Sequence, residues 1–103
     1  MSPQARISPQ IEPTPVAETE LEPMYRVIIH NDDVTPMDFV VLILERFFFI
    51  NGQAAVDIMY TAHFTGAAYV QSLPKSEAEK RIAQAHFAAG LEGYPLHFSL
   101  EPE

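Results

Sequence analysis

The sequence predicts a small α+β domain in the order β-α-α-β-α-β, with three helices on one face of a three-stranded, mainly antiparallel sheet. Three observations lead there. A β-rich run opens the dense part of the chain at Tyr25 to His30, and a clean apolar/polar alternation closes it at Leu96 to Leu100. Helix start and stop residues recur between those runs. Residues 1–23 are set apart by five of the nine prolines and by the absence of any aromatic residue.

Each element has its own local reason. Asn31-Asp32-Asp33-Val34 reads as a polar loop, because Asx side chains readily bond nearby backbone. Thr35 then serves as N-cap, Pro36 as the first helical residue and Asp38 as an acid near the positive end of the dipole. That first helix should run to about Ile50 and stop at Asn51-Gly52. A second helix covers about Gln53 to Phe64, with Gly66 suited to a left-handed C-terminal cap. Ala67 to Leu73 forms a short strand. Pro74 opens a third helix that reaches about Ala89, with Gly90 just past its end and Glu77–Arg81 as an i,i+4 pair. After Gly93-Tyr94-Pro95, Leu96, Phe98 and Leu100 alternate with His97 and Ser99 in a final strand. No internal repeat is visible.

Residues 1–23 show neither a helical nor a strand period. Such a segment buries too little apolar surface to offset its ordering entropy, so it is expected to be a flexible, partly extended arm. The body is then a single domain over 24–103. Of the formal charge of −8, the arm carries −3, from Arg6 against four Glu, and the body carries −5. This balance works against nucleic acid and anionic membranes, which need clustered Lys/Arg. The chain has no Cys, which removes disulfides, thiolate catalysis and thiolate metal sites. The longest apolar run, Phe39 to Leu44, is far below the ~18 residues of a membrane span, and no signal-peptide pattern is present. A cytoplasmic protein is expected.

The first helix is apolar nearly all round, from Phe39 through Leu44 and again from Phe47 to Ile50. Burial accounts for most of these residues, but a body this small should leave some exposed, as part of a pocket or docking surface. Beside that helix lies Asn31-Asp32-Asp33. On the second helix Met59, Ala62 and His63 fall at i, i+3 and i+4 and so share a face. If that face turns toward the loop, His63 joins Asn31 and the acids at one end of an apolar cleft lined by Met37 and Val40. Carboxylate, amide oxygen and neutral imidazole nitrogen are acceptors, and they suit an ammonium donor attached to an apolar side chain. Each piece alone has a plainer reading: turn chemistry for the acids, a structural helical His, and Met as core. A metal held by His30, Asp32, Asp33 and His63 stays open, although no spacing matches a metal motif. A His–Asp hydrolase is equally weak, since Thr35 is the only nearby hydroxyl and is better used as a cap.

These residues also carry a resemblance. Tyr25-Arg26-Val27-Ile28-Ile29-His30-Asn31-Asp32-Asp33-Val34-Thr35-Pro36-Met37-Asp38-Phe39-Val40, followed by Met59-x-x-Ala62-His63-x-x-Gly66 and Tyr94-Pro95-Leu96, closely resembles ClpS, the adaptor family of the Clp ATP-dependent proteases. The likeness spans residues 24–101. It implies a fold like the C-terminal domain of a ribosomal stalk protein. It also implies recognition of N-degrons, substrates whose first residue is Leu, Phe, Tyr or Trp. By position, Asn31, Asp33 and His63 match the family's α-amine contacts, and Asp32 matches a neighbour that contacts substrate backbone. Met37, Val40, Met59, Ala62 and Leu96 match the side-chain pocket, with Thr35 and Pro36 at its rim.

Neither catalysis nor a cofactor is expected. The resemblance implies a monomer that docks on an AAA+ unfoldase of the ClpA or ClpC type, with an N-terminal arm engaged in hand-over. Three positions depart from the pattern. Ala62 replaces the usual Val or Ile and should enlarge the pocket. Val34 stands where an aromatic is common. On the third helix Arg81 fits a basic docking position, but Ser76 falls where an acid is often found. Two other readings remain: an unfoldase-binding module with altered or lost N-degron specificity, and a small metal- or ligand-binding domain.

Overall fold

A computed structural model describes residues 22–103, so the expected arm, save for Glu22 and Pro23, lies outside the described residues. The elements are β1 (Met24–His30), α1 (Met37–Phe48), α2 (Gly52–Thr65), β2 (Ala67–Pro74), α3 (Lys75–Leu91) and β3 (His97–Pro102). The sheet order is β2-β1-β3, and β1 pairs antiparallel with both neighbours. In register, His30 faces Ala67 on one side and His97 on the other, with an irregularity opposite Val27/Ile28 in the β1–β2 ladder. This is the α+β architecture that the sequence predicts.

Strand alternation decides which sheet face is covered. Val27, Ile29, Ala68, Val70 and Phe98 are buried and join one core with Ile43, Leu44, Phe48, Ala55, Ala62, Ala78, Ala85 and Ala89 from the helices. Phe48 and Phe98 meet with ring centroids 4.9 Å apart. The other face is polar: Arg26 pairs with Glu101 at 3.2 Å, and Ser72 donates to Glu103 at 2.6 Å. A sheet dressed on one side only has this two-faced composition. The small core residues of α3 let that helix lie close to the sheet.

Helix ends differ from the sequence expectation in four places. Thr35 is not the cap of α1: Pro36 holds that position, and Asp32 instead accepts from the Thr35 hydroxyl and amide. The first helix stops at Phe48, because Phe49 takes a left-handed conformation (φ 56°) and turns its amide back to Leu44 O. Asn51 does not terminate that helix but starts the next, its side chain accepting from Ala54 N at 3.0 Å. Gly90 lies inside α3, which continues to Leu91; the left-handed glycine after it is Gly93, with φ 78°. Gly66 caps α2 as its position predicts, with φ 99° and its amide on Ala62 O.

The start of α3 has no side-chain cap from its own N-cap, Pro74. Its first amides are met from far away in sequence. Lys75 N donates to Pro23 O at 3.1 Å, and Ser76 donates from its amide and hydroxyl to the two Glu22 carboxylate oxygens at 2.8 and 2.9 Å. The acid belongs at the positive end of a helix. Those contacts hold the Glu22 carboxyl below the usual carboxylate range. Among the described residues no helix is long and apolar enough to cross a membrane.

Candidate functional site

The cavity opens at the C-terminal end of the central strand, where the chain leaves the sheet for α1. A single backbone bond fixes this corner: Asn31 N donates to Gly66 O at 3.0 Å, tying the loop after β1 to the cap of α2. That bond explains why residues more than thirty positions apart, Asn31 and His63, share one mouth. Asp32 shapes the loop. One of its oxygens accepts from Val34 N (2.8 Å) and Thr35 N (2.7 Å), and the other accepts from the Thr35 hydroxyl (2.9 Å). Partial burial pushes the Asp32 carboxyl up, but the bonds from Thr35 and Val34 outweigh it and leave the group below its ordinary value of 3.8.

The resulting cavity is about 330 Å³, at the small end of the range for ligand sites. Met59, Ala62 and Leu96 are buried and form its floor, while Thr35, Pro36 and Val40 make partly buried walls and Met37 an exposed edge. Asn31, Asp33 and His63 stand exposed around the mouth. Among the described residues no hydrogen bond engages the side chains of these three. The structure therefore brings together eleven residues singled out in the sequence: Asn31, Asp32, Asp33, Thr35, Pro36, Met37, Val40, Met59, Ala62, His63 and Leu96. Ser76 and Arg81 do not line it. They lie on α3, where Ser76 is bonded to Glu22, and Arg81 is held by Glu77 (2.8 Å), by Gln71 (3.2 Å) and over the Phe49 ring at 4.9 Å.

Three further residues line the cavity: Ile29, His30 and Val34. Sequence reasoning had no signal for Ile29, whose β-branched side chain reads only as core. His30 was visible only as a metal candidate. Its Nε2 instead shares a 2.7 Å hydrogen bond with the Ser99 hydroxyl, and its ring lies 5.2 Å from that of His97. Among the described residues no three His, Cys, Asp or Glu side chains are grouped to hold a metal ion. Outside the mouth, His86 accepts from Phe98 N at 2.9 Å. Burial, with the neighbouring His97, holds the His86 imidazole below its ordinary value of 6.5.

The described residues form a small α+β body with an apolar-floored cavity at the end of its central strand. Comparison with known proteins identifies its family. Residues 20–99 match the family model described as ATP-dependent Clp protease adaptor protein ClpS, and the chain belongs to that family. It is 47% identical over 87 residues to the ClpS adapter protein of Shewanella loihica, covering 82% of this chain and 85% of that protein. The counterpart from Roseobacter denitrificans is 42% identical over 86 residues, covering 84% and 76%. Among solved structures, Agrobacterium tumefaciens ClpS2 bound to L-phenylalaninamide superposes with a TM-score of 0.76 at 34% identity, covering 79% of this chain and 98% of that one. The family is one of protease adaptors, which act on Clp proteases and their substrates.

Proposed function

We propose that this chain binds proteins beginning with Leu, Phe, Tyr or Trp by their free α-amine and first side chain, and delivers them to an AAA+ unfoldase of the ClpA or ClpC type. The observation that carries this reading is the placement of three polar side chains, Asn31, Asp33 and His63, with no hydrogen-bond partner among the described residues, around a cavity floored by Met59, Ala62 and Leu96. An α-ammonium supplies three N–H donors, which the Asn31 amide oxygen, the Asp33 carboxylate and an unprotonated ring nitrogen of His63 can accept, and a positive charge that suits the carboxylate. The attached side chain then takes the apolar floor. Phenylalaninamide, named as bound to the Agrobacterium relative, has both parts: a free α-amine and a benzyl group. Asp32, committed to its own loop, presents the substrate backbone with that loop rather than a free carboxylate. The protein works as a cytoplasmic monomer, without a cofactor, and Ser76 and Arg81 form part of its unfoldase contact. Residues before Glu22 engage the unfoldase during hand-over.

Burying a Leu or Phe side chain is worth ~1.5–3 kcal/mol, and each hydrogen bond to a charged group a similar amount. After association costs, affinity falls near the micromolar range, about −8 kcal/mol. The test is a fluorescence titration with a peptide beginning in Phe, compared with the same peptide acetylated at its amine. Acetylation removes the charge and most of the donors, so binding should fall by at least a hundredfold. Equal binding of the two peptides would refute the amine pocket.

A further inference from the structure

Beside the mouth, α2 carries an aromatic ridge that the core does not use. Tyr60 and Phe64 are 46% and 76% exposed, and their rings stack at 6.0 Å with an interplanar angle of 14°. Phe64 also meets the imidazole of His63 edge-on, at 4.9 Å and 75°. His63 lines the cavity, so the ridge begins where the mouth ends. Stacked on one another beside the mouth, the two rings form a contiguous apolar patch, the kind of surface feature that marks an interaction site.

Resting on the amine-pocket reading, we propose that Tyr60 and Phe64 form a subsite for the second residue of the bound substrate, and that it favours an aromatic side chain there. Covalent geometry identifies the occupant. With the first side chain on the floor and its amine at His63, the second Cα lies about 3.8 Å from the first, outside the cavity. Phe64 adjoins His63, ring centroids 4.9 Å apart, so the ridge lies within reach of the residue that follows one whose amine sits at His63. A second aromatic side chain then packs on the stacked pair in offset or edge geometry, the arrangements such rings prefer. The first residue is read by the cavity and the second by the ridge, with His63 shared between them.

The experiment uses the full chain and three probes: L-phenylalaninamide, and two short amidated peptides that begin Phe-Phe and Phe-Ala and are otherwise identical. Affinities are measured by calorimetry or fluorescence competition. The Phe-Phe peptide should bind about 3- to 10-fold tighter than Phe-Ala, the range of a single aromatic contact. In Phe64→Ala, and in Tyr60→Ala as an independent variant, that ratio should fall toward one. Failure of phenylalaninamide to bind the parent protein overturns the amine pocket and this subsite with it. If phenylalaninamide binds but the parent ratio is already near one, only the subsite is overturned. A ratio that survives in both ridge variants and collapses in Val34→Ala puts the second residue on the opposite rim and overturns it as well. The same holds if Phe64→Ala spares the ratio and weakens unfoldase binding instead, which makes the ridge a partner surface.

Discussion

Ala62 offers the sharpest test of how the cavity selects a first residue. Its side chain is 4% exposed and lies on the floor, one position before His63 and one turn after Met59. Ala62→Val adds two methyl groups to a cavity of about 330 Å³. For a small occupant such as Leu, the added methyls fill space, and contact with even one is worth ~0.8 kcal/mol. For Trp they overfill it, and overpacking costs ~1–3 kcal/mol. The two effects have opposite sign, so their difference is about 2 kcal/mol or more, a shift of roughly twentyfold or greater in the Leu-to-Trp affinity ratio. The assay is competition with Leu-, Phe-, Tyr- and Trp-amide against one labelled peptide, on parent and variant. Helix propensity adds a loss of stability of about 0.5 kcal/mol, which a melting curve measures separately. A Leu-to-Trp ratio within threefold of the parent's would refute the reasoning, since it would mean that the first side chain does not rest on Ala62.

Two other outcomes follow from the same geometry. Gly66→Ala meets no atom within 4 Å, so its cost is purely conformational at φ 99°, about 1–2 kcal/mol by chemical denaturation. Gly90→Ala, helical and equally unobstructed, should gain about 0.5–1 kcal/mol. Stability should also depend on pH in two windows. His86 is held below its ordinary 6.5, so the unfolded chain takes up its proton first, and stability present above about pH 6.5 declines as pH falls through the folded value. Asp32, held below 3.8, keeps its contribution until pH falls into the carboxylate range, where it too is lost. His86→Gln should remove the upper window alone; an unchanged melting profile between pH 7.5 and 5.5 in the parent would show that His86 is not buried beside His97 in solution as it is in the structure.

The architecture was legible because its signals are local. Strand alternation at Leu96 to Leu100, the glycine at 66 and the i,i+4 pair Glu77–Arg81 each act within a few residues. Helix ends were less legible where a distant group supplied the cap. Nothing near Ser76 in sequence announces Glu22, 54 positions away, and nothing near Phe98 announces His86 as the acceptor for its amide. Phe49 defeats prediction differently: an aromatic residue adopts the left-handed turn that glycine usually takes, and its largely exposed ring has the Arg81 guanidinium over one face. Most of the cavity was readable from the shared face of Met59, Ala62 and His63 and the adjacent acidic loop. The residues that escaped, Ile29 and Tyr60 with Phe64, look like ordinary core or ordinary surface until the mouth has a position in space.

Asp32 and Asp33 show how the site separates folding from recognition. They are neighbours with the same side chain, yet Asp32 spends both oxygens on Val34 and Thr35, while Asp33 has no hydrogen-bond partner among the described residues. A carboxylate that accepts backbone amides lowers the free energy of the folded loop; one left to solvent contributes almost nothing to stability and stays available to a cation. The Asn31 residue divides the same way within itself, its backbone amide bonded to Gly66 O and its side chain without a hydrogen-bond partner among the described residues. The loop at the mouth is therefore hydrogen-bonded through groups other than the side chains of Asn31 and Asp33. On the proposed reading, an ammonium meets acceptors on a loop that is already hydrogen-bonded, which keeps the ordering cost of binding low. The chain's net charge of −8 has a specific local meaning at Asp33. On the proposed reading, Asp33 is the acid of that total placed at the mouth to meet an ammonium.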